Sequence, residues 1–363
     1  MKKARFMFAV LVVLALGLAA CAPKATPTPA AVAPTAEPAK PVSVCVSLAG
    51  KLGDKSYNDI VAEGILRAEK DFGITYKMLE ANDAAAREPN LFACADGGYD
   101  LVIAIGSAQI DPLKRAAEEY PDVKFAITDS ILHPSPPNVV SIAFAPNEGQ
   151  FLVGAAMAMF TTKTDIPGVN PEKIVGWITG TESPNILDFY AGFEHGVEYI
   201  DPEVKILKGI AGSFSDPIKG KELATAQFEQ GADIIAQVAS GTGLGIIEAA
   251  AEQKKFAVGV DLDQDSLQPG YVLTSMVKRV DIGVYNTIKS VVEGKFDGGG
   301  YMYMDLSTDA IRLTDFSVFK SVWGDKFPQD ILDKVNELKA KIISGEIKVR
   351  TNPVIRFWET EGK

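Results

Sequence analysis

Residues able to grip a small molecule fall, in this chain, just after short apolar runs. Asp54, Ser56, Tyr57 and Asn58 follow the run Val42 to Leu48. Gly106 and Ser107 follow Leu101 to Ile105, and Asp129 and Ser130 follow Val123 to Thr128. Later, equivalent places hold Gly180-Thr181-Glu182, Ser213-Phe214-Ser215-Asp216 and Ser240-Gly241-Thr242-Gly243, then Asp261 and Asp263. If the runs are strands of open parallel sheets, these residues converge, because ligands bind beyond the carboxyl ends of such strands. Aromatic rings stack on a flat ring, and carboxylates accept hydrogen bonds from hydroxyls. The set suits a flat ring joined to a sugar. Each residue also has a plainer use. Asp54, Asp129 and Asp216 could cap the helices that follow, and Tyr57 and Phe214 could anchor a core. Asp261 resists that reading, since no strong helix pattern follows it.

Covalent or metal chemistry is not written in the same places. His133 and His195 are the two histidines, and neither lies in a metal or triad spacing. No Walker A sequence is present. Gly241-Thr242-Gly243-Leu244-Gly245 has Ile246 next and follows a late strand, whereas a dinucleotide fingerprint follows the first strand with G-x-G-x-x-G spacing. It reads as a tight turn. No enzyme, metal or cofactor is expected. Cys45 and Cys94 either pair, as an oxidising compartment would allow, or pack as small buried hydrophobes. The second is the reading the sequence favours.

The elements that must position these residues alternate. Strands are expected at Val42 to Leu48, Thr75 to Leu79, Leu101 to Ile105, Val123 to Thr128 and Val139 to Phe144, with helices between most of them. A long helix, Asn147 to Thr161, then opens a second set. Its strands are Lys173 to Ile178, Lys205 to Ala211, Ile234 to Gln237 and Phe256 to Val260, separated by helices at Pro184 to Ile200, Asp216 to Gln230 and Gly245 to Gln253. Short apolar strands alternating with helices mean parallel sheets covered on both faces. The fold class is α/β, with two doubly wound lobes joined by a hinge. The expected division is 42–145 plus about 264–300 for the first lobe, and 146–263 plus about 301–363 for the second. The strand Val272 to Met276 and helix Asp281 to Glu293 are assigned to the first lobe, and the segment from Tyr301, with the helix Gln329 to Ser344, to the second. Repeated crossings make a hinge, and a hinge between such lobes makes a closing cleft.

The N-terminus sets the compartment. Lys2, Lys3 and Arg5 precede an uncharged apolar run, Phe6 to Leu18. It is shorter than the roughly 20 residues a membrane span needs, and fits a signal-peptide core. It ends in Leu18-Ala19-Ala20-Cys21, which is similar to a bacterial lipobox. Residues 1–20 are therefore expected to be a signal peptide and Cys21 a lipidated N-terminus. The stretch from Ala22 to Pro41 is rich in Ala and Pro and cannot bury a core. At about 3.1 Å per residue it makes a tether of roughly 60 Å, completing a lipidated segment at 21–41. From about Val42 roughly 320 residues remain, more than one core usually fills. Loss of the three leading cations takes the formal charge from −11 to −14. An acidic surface excludes nucleic acid as a partner, since that affinity comes from Lys and Arg neutralising phosphates.

Several segments together resemble one family. Gly53-Asp54-Lys55-Ser56-Tyr57-Asn58, Ala145-Pro146-Asn147-Glu148-Gly149-Gln150-Phe151 and Gly212-Ser213-Phe214-Ser215-Asp216-Pro217 are followed by Gly241-Thr242-Gly243-Leu244-Gly245, Gly259-Val260-Asp261 and Leu273-Thr274-Ser275-Met276-Val277-Lys278. In this order the chain is similar to the basic membrane protein family of purine-nucleoside-type substrate-binding lipoproteins. The resemblance implies a type I periplasmic-binding-protein fold and an extracytoplasmic receptor, held at the cell membrane by its lipid, that serves an ABC permease as a monomer. It implies that Tyr57 takes a stacking position usually Phe, beside Asn58. Asp129 matches the aspartate after the fourth strand, and Asp261 with Lys278 the pair near the sugar hydroxyls. Phe214 stands as the second ring, with Phe189 behind it. Asp54, Ser107 and Gly241 complete the expected ligand-binding set. Members often carry an aspartate directly after the first strand, where this chain has Ala49-Gly50. The alternatives are a receptor for another ring-plus-polyol ligand such as riboflavin, and a sensory lipoprotein without a transporter.

The tether contributes nothing to a fold in this reading. Cys21→Ser is expected to give a protein that still binds its ligand but no longer incorporates labelled lipid. Lipid label persisting in that variant would refute the lipobox.

Overall fold

The computed structural model describes residues 40–352. The expected signal peptide, Cys21 and most of the tether lie outside the described residues. Chain order in the first half is β1 (Ser43–Ser47), α1 (Tyr57–Phe72), β2 (Thr75–Leu79), α2 (Arg87–Asp96), β3 (Leu101–Ala104), α3 (Ile110–Glu119), β4 (Lys124–Thr128) and β5 (Val139–Phe144). There follow α4 (Pro146–Phe160), β6 (Ile174–Thr179), α5 (Pro184–Ile200), β7 (Lys205–Ile210), α6 (Pro217–Glu229), β8 (Ile234–Val238), α7 (Gly241–Glu252) and β9 (Phe256–Asp261). The described elements finish with β10 (Val272–Lys278), α8 (Val280–Val292), β11 (Tyr301–Met304), β12 (Ile311–Leu313), α9 (Ser317–Trp323) and α10 (Gln329–Ile343).

Among the described residues these strands make two six-stranded sheets, ordered β11-β5-β4-β3-β1-β2 and β12-β10-β9-β8-β6-β7. The pairings are parallel except that of β12 with β10. The inner strands β3, β5, β6, β8, β9 and β10 are buried along their whole length. This is why they read as continuous apolar runs and not as alternations. This is the two-lobed α/β fold expected from the sequence.

Two expectations of lobe membership need correction. β10 does not return to the first sheet; it lies between β9 and β12 in the second. β11 does not belong to the second lobe; it pairs in parallel with β5, Tyr301 opposite Ser141. β10 is buried and paired on both edges, whereas β11 is a half-exposed edge strand, and in neither case does the local run say which sheet the strand joins. α8 does pack on α1, so the chain crosses at Arg279, after β10 and not before it.

Among the described residues three connections pass between the lobes: at Ala145, at Arg279, and between β11 and β12. They are tied together. Ala145 N–H donates to the Met304 carbonyl at 2.9 Å and Arg279 N–H to the Ala310 carbonyl at 2.8 Å. The second lobe is set by a close helix crossing. A side chain on Gly192 or Gly196 of α5 would overlap the backbone carbonyl of Asn147 or Phe151 on α4. Glycine there lets the two backbones meet and fixes where α5 presents Phe189.

Cys45 and Cys94 form a disulfide, with Cα atoms 5.5 Å apart, that joins β1 to α2. Both are also fully buried, so the hydrophobic reading described their surroundings but missed the bond. The bridge closes a loop of 49 residues. Replacing both cysteines with alanine is expected to lower stability by about 2–4 kcal/mol, read as a lower urea midpoint. An unchanged midpoint would show that the bridge does not stabilise the fold.

Candidate functional site

The site is built around one buried ammonium. Lys278 ends β10, at the Arg279 crossing, and is 2% exposed. Its Nζ donates to both carboxylate oxygens of Asp129, at 3.0 and 2.9 Å, and lies 3.7 Å from Oδ1 of Asp261. Asp129 directly follows β4 in the first sheet, and Asp261 ends β9 in the second. One side chain therefore joins strand ends of both lobes. Aromatic faces surround it: Nζ lies 4.6 Å from the centroid of Tyr57, 5.3 Å from Phe189 and 5.6 Å from Phe144. Ring faces are negative and attract a cation.

Backbone strain accompanies this geometry. Asp129 and Asp261 have φ of 59° and 65°, a left-handed conformation that non-glycine residues adopt at a cost and that clusters at functional sites. Burial pushes the Asp261 carboxyl up, while Lys278 and the Ser56 hydroxyl pull it back. Burial would lower the Lys278 ammonium, but Asp129 and Asp261 outweigh it and leave it raised. The Tyr57 phenol is pushed well above its ordinary value by burial and then by Asp129. It shares a 2.7 Å hydrogen bond with the Thr128 hydroxyl, whose oxygen also accepts from Gly106 N–H at 2.9 Å. That is the partner the extra hydroxyl required.

Of the residues expected at the site, the structure gathers Tyr57, Asp129, Phe189, Asp261 and Lys278. Others take different places. Asp54 accepts from Ser56 N–H, Asn58 N–H, Asn58 Nδ2 and Asp59 N–H, and from the Ser240 hydroxyl. Those five donors fill a carboxylate with about four lone-pair sites, so the capping use holds. Asn58 also accepts from Gly50 N–H; its amide shapes the loop after β1. Phe214 lies with its ring where a side chain on Gly180 would be, and its carbonyl accepts from Thr242 N–H. No contact to Lys278 joins it to the cluster among the described residues. Asp216 caps α6 by accepting from Lys219 N–H at 2.9 Å. Ser107 opens a short 3-10 turn after Gly106, and its side chain makes no hydrogen bond among the described residues. Gly241 is the first residue of α7, beside Asp54. The glycine run from Gly241 is thus not a tight turn but the start of that helix. A side chain on Gly245 would overlap the Pro217 carbonyl, so the glycines let α7 cross α6 closely.

Sequence reasoning missed Phe144 and Thr128. Each is the last residue of a strand, β5 or β4, and a reading extended to those positions would have found them. His195, on α5, accepts from the Arg350 N–H and packs against Phe151, away from this cluster. The arrangement offers rings, carboxylates and an ammonium, and suits recognition of a polar, ring-bearing solute.

Comparison with known proteins places the chain in a family. Residues 41–353 match the Bmp family, described as ABC transporter substrate-binding protein PnrA-like. The chain is 32% identical over 325 residues to a CD4+ T-cell-stimulating antigen of Listeria monocytogenes, covering 84% of this chain and 86% of the relative. It is 30% identical over 325 residues to an ABC transporter nucleoside-binding protein, BmpA, of Lactococcus lactis, covering 84% and 87%. Among solved structures it resembles an ABC transporter solute-binding protein of Aeropyrum pernix, with a TM-score of 0.78 and 30% identity, covering 88% of this chain and 96% of that one.

The cluster makes a prediction about pH. Removing one partner of a buried charge pair costs roughly 3–5 kcal/mol, so Lys278→Met should destabilise by about that much near neutral pH. Asp261 titrates above its unfolded value, so its stabilising protonation is present at low pH and is lost as pH rises through its folded value. Loss of the ammonium moves that value further up. The destabilisation should therefore be smaller at about pH 5 than at about pH 7.5, measured by urea melts of both proteins. Equal losses at both would contradict the charge pairing.

Proposed function

Because the chain belongs to the Bmp family of PnrA-like ABC transporter substrate-binding proteins, a family of binding proteins and not of enzymes, we propose that it captures a purine nucleoside for its permease. The observation that carries this reading is the Lys278 cluster. Tyr57 and Phe189 supply rings beside a cluster whose charged groups are two carboxylates and one ammonium. A base can stack on such rings. Ribose hydroxyls can donate to Asp129 and Asp261 and accept from Lys278. The Lactococcus lactis relative, described as nucleoside-binding, supports the same ligand class.

A net negative cluster also selects by charge. A nucleoside monophosphate would bring like charge into a partly dry site, which is repulsive. The lipid on Cys21 would hold the receptor on the extracytoplasmic side of the cell membrane, and no helix among the described residues is long and apolar enough to cross one.

Native mass spectrometry of the purified protein should reveal a retained nucleoside, and a retained flavin would move the reading to the riboflavin class. In titration calorimetry adenosine should bind far more tightly than its monophosphate. A hydrogen bond to a charged group is worth about 1.5–3 kcal/mol, so Asp261→Ala should weaken adenosine by roughly 10–150-fold. Tyr57→Ala should lose a comparable amount, and Tyr57→Phe little, because Thr128 keeps its bond to Gly106. Normal adenosine binding by Asp261→Ala would remove this residue from the site.

A further inference from the structure

The loop between β1 and α1 belongs to the first lobe and hydrogen-bonds directly to residues of the second. The Ser240 hydroxyl, before α7, donates to Asp54 Oδ2 at 2.6 Å. The Ser56 hydroxyl donates to Asp261 Oδ2 at 2.7 Å. Gln264 Nε2, after β9, donates to the Lys55 carbonyl at 2.8 Å. All five side chains are buried, where a hydrogen bond to a carboxylate is strong and an unmet one costly.

Each half is held ready on its own lobe. Asp54 is aimed by the Ser56 amide of its own loop and by the Asn58 and Asp59 amides of the first turn of α1. Gln264 is fixed by its Oε1, which accepts from Val260 N–H and from Gln237 Nε2. Lys55, Ser240 and Asp261 all have left-handed backbone, with φ of 50°, 51° and 65°. Strained conformations of this kind persist where surrounding contacts over-determine them. Here they occur on both sides of one interlobe contact.

We propose that Ser56 and Ser240 latch the two lobes through Asp261 and Asp54, so that protein-to-protein hydrogen bonds set part of the closing equilibrium. Asp54 then serves closure and not the ligand. Ser56 is a positioning residue as well: by holding Oδ2 of Asp261 it leaves Oδ1 toward Lys278. A receptor whose closed state is already populated binds more tightly, since apparent affinity scales with the competent fraction. Removal of either hydroxyl should lower the ratio of closed to open protein roughly tenfold.

Pulsed electron paramagnetic resonance can measure this without ligand. Spin labels on Glu118→Cys of α3 and Glu229→Cys of α6, both exposed, report the distance between lobes in the full chain. The protein with both serines should show a closed population, and Ser56→Ala with Ser240→Ala should move it to longer distances. Melting temperatures check that the variants fold. If the double variant does not, Ser240→Ala alone decides by the same distances. Coincident ligand-free distributions with and without the serines, or a wholly open parent, would overturn the latch. Adenosine is then added. Failure of adenosine to close either protein would count against the nucleoside reading, while the ligand-free distances still judge the latch.

Discussion

The structure depends on holding one ammonium away from water. Lys278 is an expensive group to bury, and it is retained by a bidentate contact to Asp129, a longer one to Asp261, and ring faces on its flanks. Asp261 shares the second sheet with Lys278 but Asp129 follows a strand of the first, so the bidentate contact forms only when the two lobes meet. Its position at the end of β10, beside a crossing, ties the electrostatics of the site to the hinge. Buried ion pairs are poor sources of net stability, because desolvation offsets attraction. That is consistent with the recognition role proposed for it above.

The neighbouring residues follow from this constraint. Asp129 and Asp261 occupy strand ends, where the backbone can turn into the left-handed region and redirect a carboxylate at acceptable cost. Tyr57 opens α1 and is locked at its far end by Thr128 and Gly106. Phe189 reaches the cluster because glycines on α5 let that helix press against α4. Each position is supported by a rigid element and a second contact, the arrangement that recognition of a defined solute requires.

Family membership and geometry answer different questions. Membership states that the chain is a substrate-binding protein of an ABC transporter and carries with it a permease partner and a small-molecule ligand. The geometry speaks to what kind of ligand. In the function proposed above, rings beside a net negative cluster would favour an uncharged ring-and-sugar molecule over an anion.

Much of this was legible in the amino-acid order. Apolar runs marked most of the strands, and the places after them marked Tyr57, Asp129 and Asp261, because local burial and turn chemistry are written locally. Lys278 and Phe189 were reached through resemblance to a family, not through periodicity. Other features depended on residues far apart in the chain. Whether Cys45 met Cys94, which sheet took β10 and β11, and whether the Asp54 lone pairs were already filled by Ser240 are questions about neighbours. An apolar run reports that a segment is buried but not what it is buried against, and a carboxylate's role depends on which donors reach it first. Sequence alone determined the elements and the strand-end chemistry; only the tertiary structure decided the pairings, since those are set by contacts between segments that no local pattern encodes.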